Sequence, residues 1–177
     1  MPLHGHLVLV GLPGSGKSTV GRAVARLVDR PFLDFDQEIV RRTGMSVSAI
    51  FETRGEAAFR EEEVALTREL AGASPMILAP GGGWITNVGV VDMLRPPALL
   101  VYLRVSVAES LRRLRRSRNV RPLLASEDPG ARLQQLMDQR GPLYKGADVV
   151  IDAETFDSQR LVEFVAALAR DGQSALG

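Results

Sequence analysis

The chain has 177 residues, 45% hydrophobic and 24% charged, a size and composition that predict one globular domain with a sizeable core. Its formal net charge is only +1, which argues against binding nucleic acid through an overall basic surface. There is no cysteine, no signal-peptide pattern and no apolar run near the roughly 20 residues that span a bilayer. We therefore expect a single cytoplasmic domain over residues 1–177 without membrane contact, disulfides or thiolate metal sites. A monomer is expected because the sequence shows no long exposed apolar stripe.

Five short aliphatic runs recur along the chain, and longer segments with helical spacing separate them. Runs that are apolar throughout predict strands covered on both faces, and the helical connections predict right-handed crossovers between parallel strands. The predicted fold is α/β with three layers, a central five-stranded parallel sheet flanked by helices. The predicted strands are Leu7 to Val10, Phe32 to Asp34, Met76 to Ala79, Leu99 to Leu103 and Val149 to Ile151.

A glycine-rich segment, Gly11-Leu-Pro-Gly-Ser-Gly-Lys-Ser-Thr19, follows the first predicted strand and fits the P-loop pattern G-x-x-x-x-G-K-[ST]. Its glycines let backbone N–H groups point inward, Lys17 reaches the β- and γ-phosphates, and Ser18 offers a hydroxyl to Mg²⁺. A turn that binds nothing would explain the glycines but not the Lys-Ser-Thr at the right offset. We predict a nucleoside triphosphate site that includes Gly14, Ser15, Gly16, Lys17, Ser18 and Thr19.

Two carboxylates, Asp34 and Asp36, stand where the second predicted strand ends. Ligands of parallel sheets bind beyond the carboxyl ends of the strands, and alternate strand residues point the same way, so both should face the P-loop. One can hold Mg²⁺ through its water shell while the other accepts a proton or hydrogen bond from an acceptor hydroxyl. The alternative is that Asp36 only N-caps a helix over Gln37 to Arg42.

Gly81 to Gly83 follow the third predicted strand, at the same edge of the sheet. Three consecutive glycines let a ligand approach the backbone closely, although an ordinary tight turn would also explain them. Arg60 precedes Glu61 to Glu63 on a predicted helix, and on spacing alone it is a surface arginine paired with these acids.

The stretch from Arg112 to Arg121 holds six arginines and no acid, so the rest of the chain carries a net charge of about −5. A solvated face and a nucleic-acid patch are two interpretations. The more economical one is a mobile lid over about residues 112–127, because a closed lid excludes water and brings an arginine onto the transferring phosphoryl group.

The motifs occur in one order: P-loop, D-x-D, G-E-x-x-F-R ending at Arg60, G-G-G, R-P-L-L beginning at Arg121, and R-x-x-x-Y from Arg140 to Tyr144. This set resembles shikimate kinase over about Leu7 to Ile151. The resemblance implies a magnesium-dependent transferase of aromatic amino acid biosynthesis, which uses ATP as co-substrate to phosphorylate shikimate at its 3-hydroxyl.

The resemblance also implies roles for individual residues. The implied catalytic residues are Lys17, Asp36 and Arg121; Arg113 and Arg121 would join the P-loop residues in binding the nucleotide; and Ser18 and Asp34 would serve the metal. Shikimate would be bound by Asp36, Arg60, Gly81, Gly82, Gly83 and Arg140, within a substrate-binding helical segment over about residues 36–71 and its neighbours. Two arginines suit one carboxylate, because each guanidinium forms paired charge-assisted hydrogen bonds.

Two residues depart from the family pattern. Pro80 stands where a small hydroxyl residue is expected, and Trp84 stands where a small residue is common and would narrow or reshape the pocket floor. Three other functions compete with that of shikimate kinase. The nearest is another small-molecule P-loop kinase, such as a gluconate kinase. A GTPase is disfavoured because this chain has no N-K-x-D element, and a non-catalytic relative is disfavoured because it would have lost Lys17, Asp36 or Arg121, which are all present.

Overall fold

A central sheet of five parallel strands organises the protein, whose computed structural model describes residues 3–117 and 125–176. The sequence prediction of an α/β fold with three layers is confirmed, and each strand lies within one residue of its predicted bounds. The strands are β1 (Leu7–Val10), β2 (Phe32–Asp34), β3 (Ile77–Ala79), β4 (Leu99–Arg104) and β5 (Val149–Asp152), in the spatial order β2-β3-β1-β4-β5.

Helices cover both faces of this sheet. They are α1 (Lys17–Val28), α2 (Phe35–Thr43), α3 (Val47–Leu70), α4 (Val90–Leu94), α5 (Val107–Arg116), α6 (Pro129–Tyr144) and α7 (Ser158–Asp171), with 3₁₀ turns at Trp84–Thr86 and Gly172–Leu176. The long α3 is two helices joined at Gly55, whose φ of 84° breaks the helical path. Within the described ranges, no helix is both long and apolar enough to cross a membrane.

The strand order places β1 at the topological switch point of the sheet. The chain runs from β1 through β2 to β3 on one side and then crosses to β4 on the other, with all pairs parallel. Such a crossover opens a crevice beyond the carboxyl end of the central strand. The glycine-rich segment after β1 lies at this point.

Alternate residues of β1 face two separate cores, as the period of a strand requires. Leu7 and Leu9 pack with the buried faces of α1 and α7, whereas Val8 and Val10 pack with those of α2, α3 and α6. All four β1 side chains are at most 3% exposed, which accounts for the continuous apolar runs in the sequence.

The sequence argument for Asp36 needs a correction. β2 ends at Asp34, and Asp36 lies in the first turn of α2 instead of extending the strand. Asp34 has extended backbone and its Oδ1 accepts a hydrogen bond from the backbone N–H of Gln37 at 3.1 Å, so Asp34 is the N-cap. Both the strand alternation argument and the alternative that Asp36 caps the helix are therefore wrong.

Candidate active site

The P-loop joins β1 to α1 in a conformation that depends on glycine. Gly14 and Gly16 have φ values of 78° and 95°, in the left-handed region that side chains avoid. The ammonium group of Lys17 folds back over the loop and donates to the carbonyl oxygens of Gly11 at 2.8 Å and Leu12 at 2.9 Å. With α1 beginning at Lys17, the N–H groups of its first turn complete a cradle suited to phosphate.

Ser18 and Asp34 form a direct link between the starts of α1 and α2. The hydroxyl group of Ser18 donates to Oδ2 of Asp34 at 2.5 Å, while the other carboxylate oxygen caps α2. A hydroxyl and a carboxylate are the hard oxygen donors that Mg²⁺ prefers. The described residues contain no cluster of three or more His, Cys, Asp or Glu that could hold a metal ion.

Two cavities meet at the carboxyl edge of the sheet. The larger, about 1430 Å³, is lined by residues 13–19, Asp34 and Asp36, together with Arg113. The smaller, about 370 Å³, is lined by the G-G-G segment and by side chains that include Asp36, Arg60, Glu63 and Arg140. Asp36 lines both, so its carboxylate lies where a triphosphate in one cavity would face a small molecule in the other.

Each glycine of the G-G-G segment lies close to a different one of the side chains predicted to bind the acceptor. A methyl group on Gly81 would lie 3.0 Å from Oδ1 of Asp36, and one on Gly82 would lie 3.0 Å from Nη1 of Arg140. A methyl group on Gly83 would overlap the guanidinium of Arg60. None of the three has a φ in the left-handed region, so the glycines are explained by close approach of side chains. The segment is also a tight turn, in which Trp84 N–H donates to the Gly81 carbonyl.

Arg60 is a partly buried arginine that lines the smaller cavity, where the family resemblance places it, and it also pairs with Glu63, one of the three acids that the spacing indicated. Its side chain is 18% exposed, with Nη1 2.6 Å from Oε2 of Glu63 and Nη2 3.0 Å from Oε1 of Glu56. Its guanidinium carbon lies 5.6 Å from the centre of the Phe59 ring. Burial alone would lower the pKa of Arg60, but the charge of Glu63 and hydrogen bonds to both glutamates raise it on balance.

Glu63 is fully buried and was not singled out from the sequence. Its Oε2 accepts hydrogen bonds from Arg60 and, at 2.9 Å, from Nδ2 of Asn87. The pKa of Glu63 is raised on balance. Desolvation raises it most, the charge of Asp36 also raises it, and Arg60 lowers it. The spacing of Arg60 and Glu63, one helical turn apart, is the sequence signal that pairs them.

The R-x-x-x-Y motif places Arg140 and Tyr144 on one face of α6. The buried hydroxyl of Tyr144 donates to the carbonyl oxygen of Gly82 at 2.6 Å, and its ring stacks on Tyr102 with centroids 5.0 Å apart. Desolvation raises the pKa of Tyr144 to about 12, although Arg140 acts in the opposite direction. Tyr144 therefore stays a neutral donor that fixes the turn against which Arg140 lies. Arg132, also unpredicted, lines the same cavity.

Arg113 lies against the P-loop, at the wall of the larger cavity. Its Nε donates to Glu109 at 2.6 Å and its Nη1 donates to the carbonyl oxygen of Ser15 at 3.2 Å. Ser110 strengthens this attachment of α5, because its hydroxyl donates to the carbonyl oxygen of Pro13 at 2.5 Å. Arg121 and the rest of residues 118–124 in the predicted lid lie outside the described residues.

The two departures from the family pattern occupy different places. Pro80 lines the larger cavity beside the P-loop. Trp84 is fully buried and is not among the residues that line either cavity as the described residues define them, so its expected effect on the shape of the pocket floor stays a prediction.

The chain is similar in sequence and structure to known shikimate kinases. The family model described as "Shikimate kinase" matches residues 13–169. A shikimate kinase of Thioalkalivibrio sulfidiphilus is 42% identical over 159 residues, which cover 89% of this chain and 83% of that relative.

Solved structures give the same result. A shikimate kinase from Acinetobacter baumannii in complex with shikimate superposes with a TM-score of 0.86 at 38% identity, covering 93% of this chain and 92% of that one. A gluconokinase from Sinorhizobium meliloti, at a TM-score of 0.60 and 19% identity, covers 99% of this chain and 95% of that one and shares the fold alone. From its family match and these identities, the chain belongs to the shikimate kinase family.

Proposed function

We propose that this protein transfers the γ-phosphoryl group of ATP to the 3-hydroxyl group of shikimate. The observation that carries the proposal is the smaller cavity, in which Arg60 and Arg140 lie against the G-G-G turn and Asp36 opens toward the P-loop. This arrangement suits a small acceptor with a carboxylate at one end and a hydroxyl at the other. Membership of the shikimate kinase family supports shikimate over a sugar acid such as gluconate.

The nucleotide end of the proposed reaction rests on the P-loop. The backbone of Gly14 to Gly16 and the N-terminus of α1 bind the phosphates, and Lys17 exchanges its carbonyl partners for phosphate oxygens. Ser18 and Asp34 would hold Mg²⁺, which would neutralise phosphate charge. Arg113 binds the base side of the nucleotide, and Arg121 acts as the lid arginine at the phosphates.

The acceptor end of the proposed reaction rests on positively charged side chains held at fixed positions, where they attract a negatively charged carboxylate. Arg60 and Arg140 bind the carboxylate of shikimate through charge-assisted hydrogen bonds, with the backbone of Gly81 to Gly83 completing the pocket. Glu63 and Glu56 hold the guanidinium of Arg60 in one orientation at the wall of the cavity. Orientation of this kind supplies a large part of catalysis in phosphoryl transfer.

Asp36 connects the two ends as the proposed proton acceptor. The 3-hydroxyl oxygen forms a bond to the γ-phosphorus while the bond from that phosphorus to the β–γ bridging oxygen breaks, and the hydroxyl proton passes to the Asp36 carboxylate. The products are ADP and the phosphate monoester.

A coupled ADP-release assay with ATP and Mg²⁺ tests the proposal. The acceptors are shikimate, gluconate, a nucleoside monophosphate and none, and a Lys17→Met variant is the inactive control. We expect ADP release that depends on shikimate and disappears when Mg²⁺ is chelated. Release that is indifferent to shikimate, or greater with gluconate, would refute the proposed acceptor.

A further inference from the structure

Trp84 is the only tryptophan of the chain, and it lies at a junction of three segments that form the acceptor cavity. It directly follows Gly83 of the G-G-G turn. Its ring packs edge-on against Phe35, which precedes Asp36, with centroids 6.2 Å apart and planes at 73°. On its third side it contacts α3, which carries Arg60 and Glu63.

The contact with α3 is a buried hydrogen bond. Nε1 of Trp84 donates to Oγ1 of Thr67 at 2.8 Å, and both residues are 0% exposed. Thr67 in turn donates to the backbone carbonyl of Glu63 at 2.7 Å. The same turn reaches Glu63 again through Asn87, whose amide binds the Glu63 carboxylate. The backbone and the side chain of Glu63 are thus both tied to residues 84–87.

These contacts bear on acceptor binding because Arg60 has little freedom to adjust. Its guanidinium lies so close to Gly83 that the position has no room for a methyl group, and Glu63 fixes it from the other side. A shift of α3 relative to the G-G-G turn would move Arg60 relative to its carboxylate ligand. Misplacement of a binding group by about 1 Å can cost as much as 100-fold in rate.

We propose that Trp84 and Thr67 are positioning residues, whose buried hydrogen bond sets the distance between α3 and the G-G-G turn and thereby the affinity for the acceptor. The inference rests on the proposed function, since it assigns these residues to the shikimate end of that site. Neither residue lines either of the two cavities as the described residues define them, so their effect is exerted through Arg60, Glu63 and the turn.

The test compares Thr67→Val, which keeps the shape but removes the hydroxyl, with Thr67→Ser, which keeps the hydroxyl. Trp84→Phe removes the donor of the same hydrogen bond, and it replaces Thr67→Val in the test if that variant does not fold. We expect Thr67→Val and Trp84→Phe to raise the KM for shikimate about tenfold and leave the KM for ATP within about twofold. Thr67→Ser should stay close to the parent protein.

A matched control separates positioning from general loss of stability. His6 also ties α3 to the sheet, because its Nε2 lies 2.8 Å from the carbonyl oxygen of Leu70 and its Nδ1 accepts from Met76 N–H at 3.0 Å. It lies before β1, at the opposite edge of the sheet from the cavities. His6→Ala should therefore lower Tm while both KM values remain unchanged.

Trp84 itself supplies a binding measurement that does not depend on turnover. Titration of shikimate should change its fluorescence, with a midpoint about tenfold higher in Thr67→Val than in Thr67→Ser. Equal midpoints and equal KM values, with only Tm lowered in Thr67→Val, would overturn the inference and leave the proposed function intact. A parent protein that neither turns over nor binds shikimate would overturn the proposed function, and the inference with it.

Discussion

The substitution Gly83→Ala tests the acceptor site with a single methyl group. Gly83 has φ of −89° and ψ of −5°, a conformation that alanine adopts without strain. The added carbon would overlap the guanidinium of Arg60, which is held by Glu63 at 2.6 Å and Glu56 at 3.0 Å. Arg60 must swing away from the turn to make room, so the substitution acts on acceptor binding with little effect on the backbone.

The expected loss follows from the bonds that Arg60 would make. A hydrogen bond to a charged group contributes roughly 1.5–3 kcal/mol. Losing one well-aligned interaction of this kind should lower kcat/KM for shikimate by about 10- to 150-fold, since each 1.4 kcal/mol is about tenfold. The KM for ATP should change by less than about twofold, because the P-loop is not touched.

Gly72→Ala is the matched control for the added methyl group. Gly72 lies in the turn after α3, and no atom of the described residues lies within 4 Å of a methyl group there. Steady-state ADP release measured against both substrates, with Tm for each variant, completes the comparison. If Gly83→Ala and Gly72→Ala have the same kcat/KM for shikimate, the placement of Arg60 against Gly83 is refuted.

Three further changes test other parts of the account. Asp36→Asn should lower kcat at least about 100-fold with ATP affinity retained, since proton acceptors contribute about 10²–10⁴-fold; lost ATP affinity with normal turnover would show a different role. Hydrogen bonds from Arg41 and Arg42 lower the pKa of Glu38 from 4.5 to about 2. Its stabilising effect is therefore present above pH 4.5 and is lost as the pH falls toward 2. Urea unfolding should show Glu38→Gln less stable by at most ~1 kcal/mol at pH 7, with a difference that shrinks below pH 4.5; a constant difference would contradict this. His6→Ala should lower the free energy of unfolding by about 1 kcal/mol or more, since it removes the partner of the Met76 N–H and one of the two hydrogen bonds to the Leu70 carbonyl oxygen; an unchanged Tm would contradict that cost.

The parts of the site that were predictable from sequence are those fixed by local backbone. The P-loop pattern specifies its own turn and the helix that follows, so Lys17 and Ser18 could be placed before any tertiary contact was known. The sheet was predictable for a similar reason, because strands covered on both faces are apolar throughout. Asp34 could also be placed at the sheet edge, since it ends β2.

Other features depend on packing between distant segments and were missed or misassigned. The burial of Arg60 depends on α3 lying across the G-G-G turn, and local spacing alone predicted a surface pair. The burial of Glu63 depends on Asn87, 24 residues further along the chain. The packing of Trp84 could not be predicted, because its hydrogen-bond partner Thr67 lies on another element.

The central claim is that the phosphoryl group lost by ATP is gained by shikimate. Phosphorus NMR of a reaction with the parent protein, ATP, Mg²⁺ and shikimate follows both molecules at once. We predict ADP and one phosphate monoester, assigned to the 3-position of shikimate, in equal amounts and with no inorganic phosphate. ADP accompanied by inorganic phosphate, or unchanged ATP, would contradict the account.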